Sequence, residues 1–151
     1  MKKFCLFTLI ALAFFVIVPA AARAQGGAKQ GPDVVRDPDM EKDSLHNLEV
    51  ARQYFKLRKA YKASLARCEE IIAGNPTFSK IDEVLLIAGQ SSLRLSENKG
   101  KQSVKTATDK LREDARDYLS MLVNNYPDSR FRAAALEELK SLGGPKGKDE
   151  K

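Results

Sequence analysis

Few side chains in this sequence have the chemistry that catalysis or metal binding needs. The chain contains one histidine, His46, and two cysteines, Cys5 and Cys68. A zinc site takes several Cys, His or carboxylate ligands, and a histidine without an Asp, Ser or Cys partner at a recognisable spacing makes no general base. We therefore predict that the protein is not an enzyme and that it holds no metal and no cofactor.

Paired acids do not change this prediction. Glu69-Glu70 and Glu137-Glu138 are neighbours in the chain, so on a helix their side chains diverge by about 100° and cannot act as a carboxylate pair. The sequence also has no glycine-rich phosphate loop, no G-x-S-x-G motif and no H-E-x-x-H motif. We expect the protein to act by binding.

The N-terminus is typical of a secretory signal peptide. Two lysines precede an apolar run over 4–18, and Ala22-Arg23-Ala24 has the small-x-small pattern of a signal peptidase site. The run is shorter than the roughly 20 apolar residues of a membrane span. We predict a cleaved signal peptide over 1–24 and a periplasmic protein. Retention as an N-terminal anchor and association with the outer membrane are the alternatives.

Composition and charge fit one small exported domain. The 151 residues are 43% hydrophobic and 30% charged, with 26 Lys and Arg against 20 Asp and Glu, a net charge of +6. Lys2, Lys3 and Arg23 lie in the predicted signal peptide, so its removal lowers the net charge to +3. An exported protein rarely meets nucleic acid, and we expect no nucleic-acid partner.

The rest of the chain reads as helix between two irregular ends. We predict a disordered leader over 25–39, an all-α domain over 40–142 and a flexible charged tail over 143–151. Apolar residues recur at helical spacing, and no segment alternates with period two. The predicted helices cover about 40–58, 60–73, 80–96 and 106–124, and a fifth follows Asp128 or Ser129 and reaches Leu142. Ser79 is predicted to cap the third helix. The second helix is predicted to end at Gly74-Asn75-Pro76, two residues that tolerate left-handed geometry followed by a proline that cannot continue a helix.

The helices are predicted to pair into a solenoid of helical hairpins. When the closing proline of the 34-residue tetratricopeptide pattern is set on Pro76, Ser64 takes the small alanine position and Cys68 an aromatic position. Arg52 falls on the glycine position, which is a departure from the pattern. Because Cys68 lies on the apolar stripe of its helix, we predict a packed thiol, and an intermolecular disulfide or a reactive thiol is the alternative.

A second unit follows with an insertion. It closes at Pro127, with Gly89 and Ala115 at the glycine and small positions, and the extra residues fall between Asn98 and Lys110. The insertion is basic, with lysines at Lys99, Lys101, Lys105 and Lys110. We interpret it as a solvated linker, and contact with anionic lipid head groups or an acidic partner is the alternative.

Two stretches of the sequence resemble a known protein family. Glu49-Val-Ala-Arg-Gln-Tyr-Phe-Lys-Leu-Arg-Lys-Ala-Tyr61, followed by Ala66-Arg-Cys-Glu-Glu-Ile-Ile72 and Asn75-Pro76, resembles a repeat of the BamD outer-membrane assembly proteins. Tyr126-Pro-Asp-Ser-Arg-Phe131 is similar to the way those proteins close one repeat and open the next. The resemblance implies a periplasmic protein-protein interaction module that helps to insert β-barrel proteins into the outer membrane. This chain is shorter, and no lipid-accepting Cys follows its signal.

Two other functions stay open beside that one. The first is a cell-envelope scaffold unrelated to barrel assembly, and the second is an accessory subunit of an envelope enzyme. About two and a half repeats are fewer than the three that usually bury a continuous core. We therefore expect the outer faces of the first or fifth helix to bind a partner protein or a second copy of the chain.

The candidate binding site is the groove that the first helix of each pair lines in such solenoids. Amide and basic side chains there could hold an extended peptide, and two leucines could take one of its apolar side chains. The alternative is an ordinary solvated helix face, of which His46 is also expected to be part. The predicted groove residues are Gln53, Lys56, Leu86, Gln90, Leu93 and Arg94.

Overall fold

The computed structural model describes residues 36–103 and 105–147, which form five α-helices and no β-strand. The helices are α1 (Pro38–Gln53), α2 (Tyr61–Gly74), α3 (Ile81–Ser96), α4 (Thr108–Asn125) and α5 (Arg132–Lys140). The all-α class is thereby confirmed for this part of the chain. None of these helices is both long and apolar enough to span a bilayer. The predicted signal peptide and most of the predicted leader lie outside the described residues.

The start of α1 is set by an acidic cap. The Asp37 carboxylate accepts hydrogen bonds from the backbone N–H groups of Asp39 (2.8 Å) and Met40 (3.3 Å), which would otherwise lack a helical partner. Pro38 takes the first helical position, where its missing N–H is not needed. The helix thus begins two residues before the predicted Met40, inside a segment whose composition resembles a disordered leader.

A π-helical turn, Tyr54–Arg58, continues α1 and leads into α2. The turn ends at Lys59, which adopts the left-handed conformation with φ of 50°. The backbone N–H of Ala60 then donates to the carbonyl of Tyr54 at 2.9 Å and closes the reversal. Such π-turns are rare and are often found at functional sites, and this one lies beside the cleft described below.

The turn between α2 and α3 is held by the start of α1. Asn75 has φ of −141°, and its buried side chain donates to Ser44 Oγ at 3.1 Å. Helix α2 ends at Gly74 as predicted, and neither Gly74 nor Asn75 adopts the left-handed geometry that both residue types tolerate. Ser79 does not cap α3 either, because the helix starts after Lys80 and the Ser79 N–H donates to the Glu41 carboxylate at 3.1 Å. Both turn residues serve to bind α1.

Helix α3 forms the centre of the core. Every one of its residues is buried except Asp82, Gln90 and Arg94. It packs on α2 and α4 and also contacts α1 and α5. One core cluster joins α1, α2 and α3 around Leu48, Cys68, Phe78 and Val84. A second joins α3, α4 and α5 around Leu85, Leu119, Leu122 and Leu139.

Small residues allow the paired helices to approach closely. A methyl group built on Gly89 of α3 would lie 2.5 Å from Leu119 Cγ and 3.3 Å from the Ala115 carbonyl oxygen of α4. Between α1 and α2, Ser64 is fully buried and its hydroxyl donates to the Ala51 carbonyl at 3.0 Å. Larger side chains at Gly89 or Ser64 would push the helices apart.

The described part of the C-terminal tail is docked on α4. Four α4 residues, spaced four apart, bind the backbone of 141–146. Arg112 donates to the carbonyl of Ser141, and Arg116 donates to the carbonyl of Gly144. Asn124 donates to the carbonyl of Lys146, whose N–H donates to Ser120 Oγ. The Lys146 ammonium pairs with Asp117. The prediction of a flexible tail therefore does not hold for residues 143–146. Polar side chains of α4, rather than an apolar core, hold these residues in place.

Burial is expected to make Cys68 unreactive. Its side chain is fully buried, and burial raises the pKa of the thiol to about 12, so the reactive thiolate is scarce. The prediction of a packed thiol is confirmed. In the Cys5→Ser protein, whose remaining thiol is Cys68, we expect Ellman's reagent to react at the rate of unfolding in native buffer and at once in urea. Rapid native labelling would contradict this.

Candidate interaction surfaces

The structure separates the predicted groove residues into two groups. Gln53 and Lys56 lie exposed at the end of α1 and in the π-turn, and Gln90 and Arg94 are partly exposed on α3. The second group, Leu86 and Leu93, is 8% and 2% exposed. These two leucines pack inside the core around α3, so the expectation that they present an open apolar surface to a peptide does not hold.

The polar groove residues of α3 bind α5. Gln90 Nε2 and Arg94 Nη2 both donate to the Glu138 carboxylate, at 3.1 and 3.0 Å. Arg94 also pairs with Glu97 at 3.4 Å. A ligand at this position would have to displace hydrogen bonds that the protein already makes, so these side chains act first as a tie between the two helices.

A stronger tie joins α1 to α3. Arg52 donates two hydrogen bonds of 2.7 Å to the two carboxylate oxygens of Glu83, the bidentate geometry of the strongest ion pairs. Burial acts to raise the pKa of Glu83, but the hydrogen bonds and charge of Arg52, with the charge of Arg130 at 3.7 Å, lower it below the usual value. The same hydrogen bonds raise the pKa of Arg52. This face is therefore built to hold three helices together.

A different surface is open. A cavity of about 650 Å³ lies between α1 and α2, and α3 contributes no residue to its lining. The apolar part of the lining is Val50 and Tyr54 from the first hairpin arm and Ala63 and Ala66 from the second. None of these side chains belongs to the buried members of either core cluster. These four side chains are partly exposed, so the cavity, which we call the α1–α2 cleft, has apolar patches among its polar lining residues, which include Gln102 of the α3–α4 loop.

An apolar stripe on α1 extends the cleft in both directions. Val50, Tyr54 and Leu57 follow one another along this stripe at spacings of four and three residues and therefore share one helix face. Met40 lies farther toward the start of α1, before the polar residues Asp43 and Asn47. Met40 is 44% exposed and Leu57 is 80% exposed. Large apolar side chains at this spacing are typical of a seam between two helices.

The charges around the cleft are mostly positive near the α1–α2 turn. His46, Lys62 and Arg67 contribute to the lining, and Arg67 pairs with Glu70 at 2.7 Å. Several exposed cations near this turn form no ion pair with any other described residue: Lys56, Arg58, Lys59, Lys62 and Lys101. Because these charges are unneutralised, the turn end of the cleft attracts anions.

The α3–α4 loop adds to this basic end. Gly100, with φ of 101°, lies against the turn: a methyl group there would be 2.8 Å from the Lys59 carbonyl oxygen and 2.9 Å from the Tyr61 ring. The predicted solvated linker therefore contacts the first hairpin. Its lysines are divided, since Lys99 pairs with Glu97 and Lys110 with Asp114, each at 2.8 Å.

The amino-acid pattern contains a clear signal for one wall of the cleft and a weak one for the other. Val50, Tyr54 and Leu57 form a second apolar stripe that is visible in the sequence and that a lone hairpin cannot bury. The matching signal on α2 is weaker, because Ala63 and Ala66 are small and are flanked by charged residues. The cleft lies where this short stripe of α2 faces the stripe of α1.

No group of three His, Cys, Asp or Glu side chains placed to hold a metal ion occurs within 36–103 and 105–147. Comparisons of the chain with models of protein families, with curated proteins and with solved structures find no match. The case for a function therefore depends on the geometry of the α1–α2 cleft and on the pattern of the sequence.

Proposed function

We propose that this protein is an exported helical-repeat module that binds another protein of the cell envelope and does no covalent chemistry. The observation that carries the proposal is the α1–α2 cleft, with the exposed apolar stripe of α1 beside it. Exposed contiguous apolar surface is unusual on a monomer and marks interaction sites. The signal-like N-terminus supports export to the periplasm.

Packing supports the narrower proposal of a tetratricopeptide-like solenoid. Each helix packs mainly on the helix before and after it, and α3 also contacts α1 and α5, as stacked helical pairs do. Gly89 and Ala115, the small positions of the second unit, lie at a close contact between α3 and α4. In the first unit, Ser64 takes the small alanine position and binds the Ala51 carbonyl of α1. Arg52 takes the glycine position and binds Glu83 of α3.

The resemblance to BamD proteins makes components of β-barrel assembly the first partners to test. A scaffold elsewhere in the envelope, or an accessory subunit of an envelope enzyme, would use the same cleft, so the identity of the captured partner separates these functions. In each case the α1–α2 cleft provides specificity through burial and charge.

Substitution of Val50 tests this proposal. We expect the wild-type protein to capture a partner from envelope extract and Val50→Glu to lose it, because a carboxylate placed among the apolar walls must be desolvated by the partner. Leu57→Glu should lose it in part. The measurement is quantitative mass spectrometry of the captured proteins, with equal circular dichroism spectra for all variants.

The control is Lys140→Glu, which adds an acid on α5, where Lys140 pairs with the exposed Glu137 and with no other residue of the described chain. It should capture the same partners as the wild type. If Val50→Glu folds and still retains every partner that Lys140→Glu retains, the cleft is not the binding site and the proposal is wrong.

A further inference from the structure

We infer that the α1–α2 cleft receives an amphipathic helix whose acidic end lies beside the α1–α2 turn. This inference rests on the proposed function, because it names the chemistry of the partner that the cleft would bind. Two features support it: the spacing of the apolar stripe and the uneven distribution of charge along the cleft.

The spacing of the apolar stripe selects a helix as the occupant. Val50, Tyr54 and Leu57 present apolar surface along the end of α1 and its π-turn, and Met40 lies beyond the polar residues Asp43 and Asn47. A helix laid along this stripe can match it at every step with its own residues three and four apart, which is the helix-in-groove mode of recognition. An extended strand would instead seek free backbone groups of a sheet edge, and the described chain has no strand.

The charge distribution selects the orientation. The unpaired cations Lys56, Arg58, Lys59, Lys62 and Lys101 are all near the turn. At the other end of the cleft, Asp43 lies one turn before Asn47, and Glu70 is near the end of α2. The neighbouring Glu69 instead accepts a hydrogen bond from Tyr118 of α4 at 3.3 Å. A partner helix with acidic residues at one end and neutral or basic residues at the other would therefore bind in one direction only.

A second copy of this chain fits the charges less well. Two copies related by a two-fold axis would place the basic turn of each against the acids at the far end of the other. Of those acids, Glu70 is already paired with Arg67 at 2.7 Å. The five cations of each turn would outnumber the acids that remain, so a second copy would neutralise the basic end less completely than a helix with an acidic end.

Three labelled synthetic helices of about five turns test the inference by fluorescence anisotropy with the purified protein. The first has a leucine stripe and a glutamate cluster at one end, the second has lysine in place of each glutamate, and the third keeps the glutamates and replaces each leucine by glutamine. We expect the first to bind at least tenfold more tightly than either of the others. Its affinity should fall as salt is added.

Matched variants locate the site. Lys62→Glu, which changes a cleft residue, should weaken binding of the acidic helix about fivefold, and Lys140→Glu, an equal change of charge on α5, should leave it unchanged. Val50→Glu should abolish binding. Equal binding of the acidic and basic helices, or an affinity that Lys62→Glu does not alter, would overturn the inference.

Other occupants give distinct results that would also overturn it. A dimer in sedimentation that Val50→Glu dissociates would assign the cleft to a second copy. Binding to phosphatidylglycerol vesicles that Lys62→Glu weakens, with no binding of the acidic helix, would assign the basic end to a membrane. If Val50→Glu loses its envelope partner while the acidic helix fails to bind, the proposed function stands and only this description of the partner falls.

Discussion

Replacing Gly89 by valine is expected to lower the free energy of unfolding by about 3 kcal/mol, the upper range for overpacking a dense core. A first carbon at this position would lie 2.5 Å from Leu119 Cγ, and the Leu119 side chain is fully buried and cannot move aside. The added methyl groups of valine must therefore separate α3 from α4. Urea denaturation followed by circular dichroism measures the loss.

Gly74 provides the matched control. It is the last residue of α2, and a methyl group built on it meets no atom within 4 Å. Gly74→Val should therefore change the stability by no more than about 0.5 kcal/mol, as expected for a surface substitution. If the two valine variants were equally stable, the close approach of α3 and α4 would have no energetic importance.

A double mutant refines the same prediction. Shortening the obstructing side chain should relieve the clash, so Gly89→Ala combined with Leu119→Ala should lose less stability than the two single changes together. Coupling between residues in contact is commonly about 0.5–3 kcal/mol. Strict additivity would show that the two residues do not compete for the same space.

Replacing Glu83 by glutamine is expected to lower the free energy of unfolding by about 2 kcal/mol. The change removes a charged partner from two short hydrogen bonds to Arg52, and bonds to charged groups contribute about 1.5–3 kcal/mol. Arg52 retains some access to water, which moderates the loss. Glu137→Gln, in an exposed pair with Lys140, is the matched control and should change little.

The same carboxylate makes stability depend on pH. Because the pKa of Glu83 is lower in the folded protein than in the unfolded chain, its contribution is complete above the unfolded pKa of about 4.3. The contribution is lost as the pH falls through the folded pKa. The stability difference between the wild type and Glu83→Gln should therefore shrink in acid, and a difference independent of pH would contradict the ionic tie.

The separation of roles also predicts what Glu83→Gln leaves intact. If the face of α1, α3 and α5 is structural and the α1–α2 cleft binds the partner, the folded Glu83→Gln protein should still capture the partner that Val50→Glu loses. The two variants thus distinguish the groove that the sequence predicted from the cleft that the structure displays.

The helices could be predicted from the sequence because their apolar periodicity is strong. The exposure of α3 was predicted wrongly, although the composition of α3 indicates that it is buried. Val84-Leu-Leu-Ile-Ala88 is apolar on every side of the helix, and such a helix must be covered all round. Treating α3 as half-exposed assigned Leu86 and Leu93 to an open groove. The burial of α3 at every position except Asp82, Gln90 and Arg94 follows from that composition.

Other features depend on partners far away in the chain and could not be predicted locally. Asn75 and Ser79 have the residue types of a helix end and a helix cap, yet they bind Ser44 and Glu41 of α1. The docking of 144–146 on α4 likewise depends on a row of polar side chains that periodicity alone assigns to solvent. Local patterns give the elements, and these long-range hydrogen bonds select among the ways to join them.

The docked C-terminal segment has a consequence for how large an assembly can grow. Residues 141–146 occupy the polar row of α4, whereas the apolar stripe of α1 has no cover within the described chain. Subunits polymerise into fibres when complementary patches stay available at both extremities. Because the α1 surface is free to bind and the α4 surface is covered by residues 141–146, this molecule should form complexes of fixed stoichiometry and should not polymerise.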